Sequence, residues 1–359
     1  MLATRNDNNL HRITFAETVR EATTQAMERD DSILVLGLGA TDPKGVFGTT
    51  LGLKEQFGVE RVYDIPVSEN AVTGVAIGLA ISGFRPILSH QRADFMLMSM
   101  DQIINNSAKW NYMFGGQVSV PLVIRTVVGR GWGQGPQHSQ NFQAMLAQVP
   151  GLKVVSPTTP YQAKGLMVAA IEDPDPVIFV EHRWLHGQVG DVPKDYYSIP
   201  IGKAHVLRPG DDLTVVASMD MTVEVLKVAE RLRSQKIGLE VVDLCSVKPL
   251  DEETILTSIR KTGRLLVLDS SWMDFGVASQ VAALAAEKGY DYLKGAIRRM
   301  GLPDTPAPST PALSKDYYPR AKDICEVVED MLGVKIDMSV FEKEKLPHDV
   351  PDPFFKGPF

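Results

Sequence analysis

The chain has 359 residues, is 44% hydrophobic, and carries a formal net charge of −7 with a pI of about 5.6. This length predicts about two domains, and the acidic balance argues against a general nucleic-acid or anionic-membrane binder. The two cysteines, Cys245 and Cys325, have no metal-binding spacing, so they are expected to be buried, reduced thiols.

The amino-terminal segment MLATRNDNNLHR is polar throughout, which predicts that the chain has no signal peptide. The uncharged, apolar run over residues 70–84 falls short of the roughly 20 residues that span a bilayer. We therefore expect this run to form a buried helix. The sequence predicts a cytoplasmic protein that does not bind membranes.

The first half of the chain alternates short β-branched runs with helical patterns. Strands are predicted over residues 32–39, 61–67, 85–90, 120–128, 153–157 and 176–182, and helices over 14–29, 69–83, 95–113 and 160–172. The strands are continuously apolar, as in a parallel sheet that is covered on both faces. The pattern predicts a doubly wound, mostly parallel α/β domain over residues 1–190.

A connecting segment and a second α/β unit follow. Periodicity is lost over residues 185–212, and residues 191–212 are assigned to a linker. The smaller domain, residues 213–334, is predicted to contain strands at 213–218, 239–244 and 264–271 and helices at 221–234, 276–288 and 319–333. Residues 335–359 are rich in proline and charge, which predicts an extended carboxy-terminal arm.

Two glycine-rich loops resemble phosphate-binding motifs only in part. The segment GLGATDPKG, residues 37–45, follows a strand, but Asp42 stands where the third glycine of a dinucleotide fingerprint belongs. The segment GRGWGQGPQHSQ, residues 129–140, lacks the Lys-Ser/Thr pair of a P-loop. Neither loop is predicted to bind phosphate.

Glu69 follows a predicted strand directly and begins a helix, in the stretch DIPVSENAVTGVAIG. One interpretation is that this carboxylate only complements the positive end of the helix dipole. The other is that it faces the ligand crevice, because ligands bind at the carboxyl ends of strands in open α/β sheets. The local sequence leaves both interpretations open.

Three longer stretches resemble the β subunits of the thiamine-diphosphate-dependent 2-oxoacid dehydrogenases, such as the pyruvate and branched-chain enzymes. They are DIPVSENAVTGVAIGLAISGFRPI, FMLMSMDQIINNSAKWNYMFGG and QHSQNFQAMLAQVPGLKVVSPTTPYQAKGLMVAAIEDPDPVIFVEH. The similarity runs in order from about residue 12 to residue 333. The resemblance implies a pyrimidine-binding α/β domain followed by a transketolase-type C-terminal domain.

The resemblance also implies thiamine diphosphate as the cofactor and assigns four residues to it. Glu69 matches the glutamate that shares a proton with the aminopyrimidine, and Phe95 matches the aromatic residue that stacks on that ring. Val67 is implied as a further cofactor contact. His138 matches a histidine above the thiazolium that handles protons of the reacting groups, so the glycines of its loop are interpreted as a mount for this histidine.

A structural potassium ion is a further implication of the resemblance. The family's site uses backbone carbonyls and one side chain, and the matching positions here are Leu122, Ala170, Ile171, Asp173 and Asp175. Hard oxygen ligands suit such ions. An ordinary helix-ending turn is the alternative, since carbonyl ligands leave no signature in a sequence.

The chain contains no G-D-G…N motif, with which thiamine enzymes hold magnesium and the diphosphate. The resemblance therefore implies an α-type partner subunit that carries this motif and the magnesium ligands, in a two-plus-two heterotetramer. It also implies a lipoyl-bearing acyltransferase as a further partner and a small 2-oxoacid as the substrate.

Several residues depart from the family pattern near the reacting centre. Arg130 and Trp132 stand in a loop that is usually built of small residues, and the stretch HQRADF adds His90 and Arg92. Trp132 is expected to narrow the substrate channel. Arg92 or Arg130 is expected either to pair with an anionic acceptor, to contact the partner chain or to lie in solvent.

The resemblance leaves three functions to distinguish. The first is a dehydrogenase β subunit that decarboxylates a 2-oxoacid and passes the acyl group to a lipoyl carrier. The second is one half of a split transketolase-like or acyloin-type carboligase with an aldehyde or ketone acceptor. A non-catalytic scaffold subunit is disfavoured because Glu69, Phe95 and His138 all stand at matching positions.

Overall fold

The structure, a computed structural model, describes residues 9–129 and 133–342. Arg130, Trp132 and most of the predicted carboxy-terminal arm, residues 343–359, lie outside the described residues. The strands are β1 (Leu10–Thr14), β2 (Ile33–Gly37), β3 (Val62–Tyr63), β4 (Arg85–His90), β5 (Val123–Val128), β6 (Lys153–Val155), β7 (Val177–His182), β8 (Val189–Pro193), β9 (His205–Arg208), β10 (Leu213–Ala217), β11 (Leu239–Asp243), β12 (Ser246–Lys248), β13 (Leu265–Trp272) and β14 (Arg298–Leu302).

The α-helices lie between these strands and after them. They are α1 (Phe15–Met27), α2 (Leu53–Phe57), α3 (Glu69–Ile81), α4 (Ala93–Met96), α5 (Ala108–Met113), α6 (Gln143–Ala147), α7 (Pro160–Glu172), α8 (Met219–Arg233), α9 (Glu252–Thr262), α10 (Val277–Lys288), α11 (Pro311–Ser314), α12 (Ala321–Leu332) and α13 (Ser339–Glu342). None of the helices in the described part of the chain has the length and apolar character that a membrane crossing requires.

Six strands from the first half of the chain and β12 from the second half build a seven-stranded sheet in the order β12-β6-β7-β5-β4-β2-β3. All neighbouring strands run parallel except the edge strand β12, which pairs antiparallel with β6. The central strands β2, β5 and β7 are buried along their whole length, as the continuously apolar sequence predicted. The doubly wound, mostly parallel domain is therefore confirmed.

Helices α1 and α7 pack against each other, and local sequence fixes where each begins. The Thr14 hydroxyl accepts from the Glu17 amide, and the Glu17 carboxylate accepts from the Thr14 amide. Thr159 and Gln162 make the same reciprocal pair at the start of α7. Such capping boxes satisfy backbone N–H groups that have no partner inside the helix.

The second half builds a five-stranded sheet in the order β14-β13-β10-β11-β9. Strands β10, β11, β13 and β14 run parallel, and β9 joins the edge antiparallel to β11. A separate apolar cluster lies between this sheet and helices α8 and α12. This is the predicted smaller α/β domain.

Residues 185–212 are more regular than predicted. Strand β8 pairs with β1 in a small antiparallel sheet, and β9 belongs to the sheet of the second half. The start of the predicted arm also differs, because Ile336 and Phe341 are buried in the second apolar cluster. Both segments gain their order from pairing and packing with distant parts of the chain, which local periodicity does not report.

The helix predicted over residues 95–113 is divided. Helix α4 begins at Ala93, a 3₁₀ turn follows over Leu97–Ser99, and a π-helical turn over Gln102–Ser107 leads into α5. The Ser107 hydroxyl donates to the Ile103 carbonyl within that turn. Such wide turns inside helices are often found near functional sites, and this segment runs on directly from Phe95.

Candidate active site

The carboxyl ends of β2, β4, β5 and β7 lie side by side in the larger sheet. The register pairs Gly37 with Ser89, His90 with Thr126, and Val128 with His182. The loops that leave these strands therefore meet at one edge of the sheet. This edge is where open α/β sheets bind their ligands.

Glu69 opens onto a narrow cleft at this edge. The cleft is lined by Glu69, Phe95, His90, Leu38, Ile65, Pro66, Ser89 and Gln91. Glu69 is half-buried and is the first residue of α3. Of the two interpretations of this carboxylate, its position in the cleft favours the one in which it faces a ligand.

Phe95 separates this cleft from a larger cavity. The larger cavity has a volume of about 590 Å³ and is lined by Lys44, Gly45, Val46, Phe47, Gln91, Arg92, Phe95, Gln134 and His138. The rings of Phe95 and His138 meet edge to face with their centroids 5.1 Å apart. The structure thus brings together Glu69, Phe95 and His138 around two adjoining spaces.

The glycine loop that carries His138 begins at a position where only glycine fits. Gly129 has φ +71°, and a Cβ atom there would clash with the imidazole of His182. Its N–H donates 2.6 Å to the Asn141 side chain, whose own amide donates to the Ser270 carbonyl in the second domain. The base of the loop is therefore held by both halves of the chain.

Arg92 lies at the wall of the larger cavity and is only 2% exposed. Its guanidinium donates to the Gly129 carbonyl (2.8 Å) and to the Gln134 side chain. Burial, together with the nearby charge of Arg183, lowers the pKa of Arg92 to about 10, while Asp94 acts in the opposite direction. Such a shift arises because burial disfavours the charged form of a cation.

Phe47 lies between two guanidinium groups. The guanidinium of Arg183 is 4.8 Å from the Phe47 ring centroid, and that of Arg92 is 5.5 Å away. Phe47 has φ +49°, a left-handed conformation that is unfavourable for a bulky residue. Backbone strain of this kind is concentrated at ligand sites, where the surrounding structure maintains it.

A compact ion-paired cluster lies directly behind the cavity. Arg125 donates through Nε to Glu181 (2.8 Å), and its Nη2 lies 2.7 Å from the same carboxylate oxygen. His186 contacts the other oxygen of Glu181 at 3.1 Å. Burial opposes ionisation of Glu181, but the charges of Arg125 and His186 outweigh it and hold the pKa of this carboxyl below its ordinary value.

His90 lies beneath the cavity rather than in its wall. It lines the narrow cleft with Glu69, is 3% exposed, and its Nε2 has no hydrogen-bond partner among the described residues. Burial lowers the pKa of His90 to about 4. The imidazole is therefore neutral at physiological pH, and its unpaired nitrogen is a polar group that a bound ligand can satisfy.

The turn predicted to bind potassium brings its oxygen atoms together, but two cationic side chains already contact them. Arg85 donates to the carbonyls of Ile171 (2.8 Å) and Asp173 (3.3 Å). Lys153 binds the carboxylates of Asp173 (2.6 Å) and Asp175 (3.1 Å). Leu122 accepts from the Val177 amide within the sheet. The potassium ion stays a prediction, and no step of the mechanism uses it.

The roles predicted for three further residues stay predictions. Val67 is 74% exposed and lines neither cleft. Arg130 and Trp132 lie outside the described residues, so their predicted roles in the channel stay predictions. Within the ranges 9–129 and 133–342, no group of three or more His, Cys, Asp or Glu side chains is arranged to hold a metal ion.

Two domain families match the chain. The pyrimidine-binding domain of transketolase matches residues 11–188, and the C-terminal domain of transketolase matches residues 202–324. The "Pyruvate dehydrogenase E1 component subunit beta" of Rickettsia bellii is 39% identical over 90% of this chain and 99% of its own length. The chain belongs to the family of E1 β subunits of 2-oxoacid dehydrogenases.

Other members of this E1 β family are equally similar. The "2-oxoisovalerate dehydrogenase subunit beta" of Bacillus subtilis is 42% identical, over 85% of this chain and 94% of its own. The "Acetoin:2,6-dichlorophenolindophenol oxidoreductase subunit beta" of the same organism is 40% identical, over 89% and 97%. A solved "Split gene transketolase, inactive beta4 tetramer" shares the fold with a TM-score of 0.70 at 24% identity, over 90% of this chain and 99% of that one.

Sequence reasoning missed part of this E1 β site. Lys44 and Phe47 line the larger cavity, but the sequence indicates Lys44 only as part of an incomplete nucleotide motif over residues 37–45 and does not indicate Phe47 at all. Gln91 reaches both spaces and donates 3.0 Å to the Leu38 carbonyl. The sequence offers two signals for these residues, the glycines on either side of Phe47 and the polar pair His90-Gln91 before Arg92. Neither signal indicates which side chains face a cavity.

Proposed function

We propose that this chain is the β subunit of a heteromeric thiamine-diphosphate enzyme that decarboxylates a 2-oxoacid and transfers the acyl group to a lipoyl carrier. The observation that carries the proposal is the junction of two spaces at Phe95, with Glu69 on one side and His138 on the other. Membership of the E1 β family supports the reaction class.

The residues of the narrow cleft fit the aminopyrimidine half of thiamine diphosphate. Glu69 offers a carboxylate, Phe95 an aromatic face, and His90 a buried nitrogen that lacks a partner among the described residues. When bound, the cofactor supplies a thiazolium carbon that acts as a nucleophile and then as an electron sink. Glu69 would hold and exchange a proton at the aminopyrimidine, as the family resemblance implies.

His138 is the group in reach of the reacting substrate. It is half-buried, packs edge to face against Phe95, and opens into the larger cavity. An imidazole there can donate a proton to, or accept one from, a carbonyl or hydroxyl oxygen of the substrate. Phe95 and Phe47 cover the neighbouring wall and reduce access of water to that oxygen.

An α-type partner subunit would complete the site. The surface beside the cleft exposes Val67, Val75, Ile81 and Met98, at 74%, 56%, 38% and 69% of their surface. Helix α3, which begins at Glu69, is apolar on both faces, which is typical of a helix buried on all sides. A subunit seated here would bring the diphosphate and magnesium ligands to the cleft, in a two-plus-two heterotetramer that serves a lipoyl-bearing acyltransferase.

Cleavage of an acyloin is a second candidate. It is favoured by the names of two similar proteins, the acetoin:2,6-dichlorophenolindophenol oxidoreductase β subunits of Bacillus subtilis and Cupriavidus necator. The second of these is 42% identical over 85% of this chain. Turnover of acetoin in preference to every 2-oxoacid, in the complex with the partner, would select this candidate.

Exchange of Glu69 tests the proposed function. Glu69→Gln in the complex with the partner is expected to leave less than about a tenth of wild-type turnover, because an amide cannot exchange the proton. Folding and partner binding should be unchanged. Glu55→Gln, on the exposed face of α2, is the control and should retain full activity. Higher residual turnover in Glu69→Gln would contradict the assignment.

Cofactor binding gives an independent measurement. Titration calorimetry with thiamine diphosphate and magnesium should detect no tight site on this chain alone, and a tight site once the partner is added. Tight magnesium-dependent binding by the isolated chain would mean that the diphosphate half of the site lies on this chain after all.

A further inference from the structure

No carboxylate in the described part of the chain forms a hydrogen bond or an ion pair with Arg92, although the charge of Asp94 acts on it at longer range. In the described ranges of the chain, its hydrogen-bond acceptors are the Gly129 carbonyl and the Gln134 amide, both neutral. A guanidinium has five N–H donors in a planar fork, so these two hydrogen bonds leave donors for a further acceptor. An arginine that is 2% exposed and lines a cavity is placed to bind an anion from that cavity.

The rest of the cavity lining has the same sign of charge. Lys44 lies on the exposed rim, and its ammonium has no ion-pair partner among the described residues. Among the described residues that line the cavity, none is Asp or Glu. The buried guanidinium of Arg183 lies 4.8 Å from the ring centroid of Phe47, which lines the cavity, and adds a second positive charge nearby. Low-dielectric walls strengthen the field that such groups project into a cavity.

We propose that this cavity binds a second negatively charged group of the substrate, at the end remote from the reacting carbonyl. The substrate is then a 2-oxoacid with a carboxylate or phosphate at its far end. Arg92 and Lys44 are the residues of the enzyme that determine this specificity. This inference rests on the proposed function, and it names the substrate class that the proposed function left open.

The carboxylate that leaves as carbon dioxide is a poor candidate for the partner of Arg92. A buried guanidinium bound to that carboxylate would stabilise the substrate more than the transition state, in which the negative charge moves away from the carboxylate. Such binding would slow decarboxylation. An anionic group that is retained through the reaction can be bound equally in both states and used for selection.

The size of the cavity supports the same conclusion. A volume of about 590 Å³ beyond Phe95 and His138 is within the range of sites for whole small-molecule ligands. It exceeds what a methyl or short alkyl group requires. A branched aliphatic substituent would place apolar surface against the buried Arg92 guanidinium and offer it no acceptor, which is costly for a cation.

Two 2-oxoacids that differ only at the far end test the proposal. The complex with the partner is assayed for carbon dioxide release with 2-oxoglutarate and with 2-oxopentanoate, with a dye as electron acceptor. The phosphonate counterpart of 2-oxoglutarate tests the preference for a phosphate-like group. We expect the wild-type kcat/KM to be about 10- to 100-fold higher for an anionic substrate than for 2-oxopentanoate.

Variants of Arg92 and Lys44 show whether these two residues cause the preference for an anionic substrate. Arg92→Met should abolish the preference by lowering kcat/KM for the anionic substrate more than for 2-oxopentanoate, and Arg92→Lys should restore part of it. Lys44→Met lies at the exposed rim and avoids a folding defect, so it should reduce the preference by about three- to tenfold. Lys54→Met, on α2, is the control and should leave the preference unchanged.

Ligand binding tests the proposed anion site without requiring that the enzyme turn over a substrate. Glutarate should stabilise the cofactor-free complex against thermal unfolding more than pentanoate does, and Arg92→Met should remove that difference. Equal kcat/KM for both substrates, or an equal loss for both in Arg92→Met, would overturn the proposal while leaving the proposed function intact. Failure of every 2-oxoacid to react would refute the proposed function instead.

Discussion

Arg92 follows β4, Arg125 lies in the neighbouring strand β5, and each is only 2% exposed. Arg125 faces inward and meets the Glu181 carboxylate, the Ser89 hydroxyl and the Thr49 hydroxyl. Arg92 faces the cavity and meets neutral oxygens. The two arginines are therefore equally buried, but only the charge of Arg125 is balanced by a carboxylate that it contacts directly.

This difference in charge balance distinguishes the cluster around Arg125, which stabilises the fold, from the cavity wall at Arg92, which is suited to bind a ligand. A buried charge is tolerated when a partner of opposite charge and further hydrogen bonds offset its loss of water. The cluster behind the cavity, built from Arg125, Glu181 and His186, meets that condition within the chain. The wall of the cavity does not meet this condition, because Arg92 has no ion-pair partner there. We therefore expect the anionic group of a bound substrate to balance its charge. Four predictions test this division, in order of decreasing expected effect.

The largest effect is expected on the cavity side. His138→Ala in the complex with the partner should lower the rate of the chemical step by about 10²- to 10⁴-fold, because a positioned acid–base group is lost. Cofactor affinity and the free energy of unfolding should stay near wild type, since His138 is half-buried in a loop. Single-turnover kinetics and calorimetry measure both. A variant with unchanged turnover would move His138 out of the catalytic machinery.

The paired cluster should respond in stability instead. Arg125→Met leaves the Glu181 carboxylate buried and without its main partner, so the free energy of unfolding should fall by about 3–5 kcal/mol. Urea unfolding of the purified chain measures this. Adding Glu181→Gln to Arg125→Met should recover part of the loss, because the uncompensated charge is removed. No recovery would mean that packing, not charge, dominates at this cluster.

His90 should make stability depend on pH. Its pKa is about 4 in the folded chain and 6.5 in the unfolded chain, so the unfolded state binds more protons between these values. Stability is then fully present above pH 6.5 and is lost as the pH falls towards 4, by about 3 kcal/mol in all. His90→Gln should lose this part of the acid sensitivity. His11→Gln, at a partly exposed position of β1, is the control.

The smallest effect on stability is expected for Arg92 itself. Arg92→Met loses hydrogen bonds to Gly129 and Gln134 but also removes a costly buried charge, so the free energy of unfolding should change by only about 1 kcal/mol. Urea unfolding beside Arg125→Met measures the contrast. A loss as large as that of Arg125→Met would erase the division between the two regions.

Elements with strong local signals could be predicted from the sequence. Helix α7 runs over residues 160–172 as predicted, because Thr159 caps it and Pro160 occupies its first position. Helix α9 was not predicted, although Asp251 caps its start and Gly263 ends it. Strands β9 and β12 could not be derived, since three or four residues form a strand there only through pairing with β11 and β6.

The site could be predicted only where the sequence around a residue carries a recognisable pattern. Glu69, Phe95 and His138 stand in stretches whose order and spacing resemble a family, and the structure brings them together. Lys44 and Phe47 belong to a loop with no such stretch, and only the folded chain places them beside Arg92. Spacing along a sequence also carries no information about which buried arginine has a carboxylate beside it.

Strand β12 has a consequence for how the chain is made. It lies in the second half of the sequence, yet it pairs with β6 and completes the edge of the first sheet. During synthesis, β6 therefore remains an open edge until Ser246–Lys248 have left the ribosome. Exposed edges of this kind invite pairing with other chains. A fragment cut at residue 212 would keep that open edge permanently, so the two halves are expected to express well only as one polypeptide.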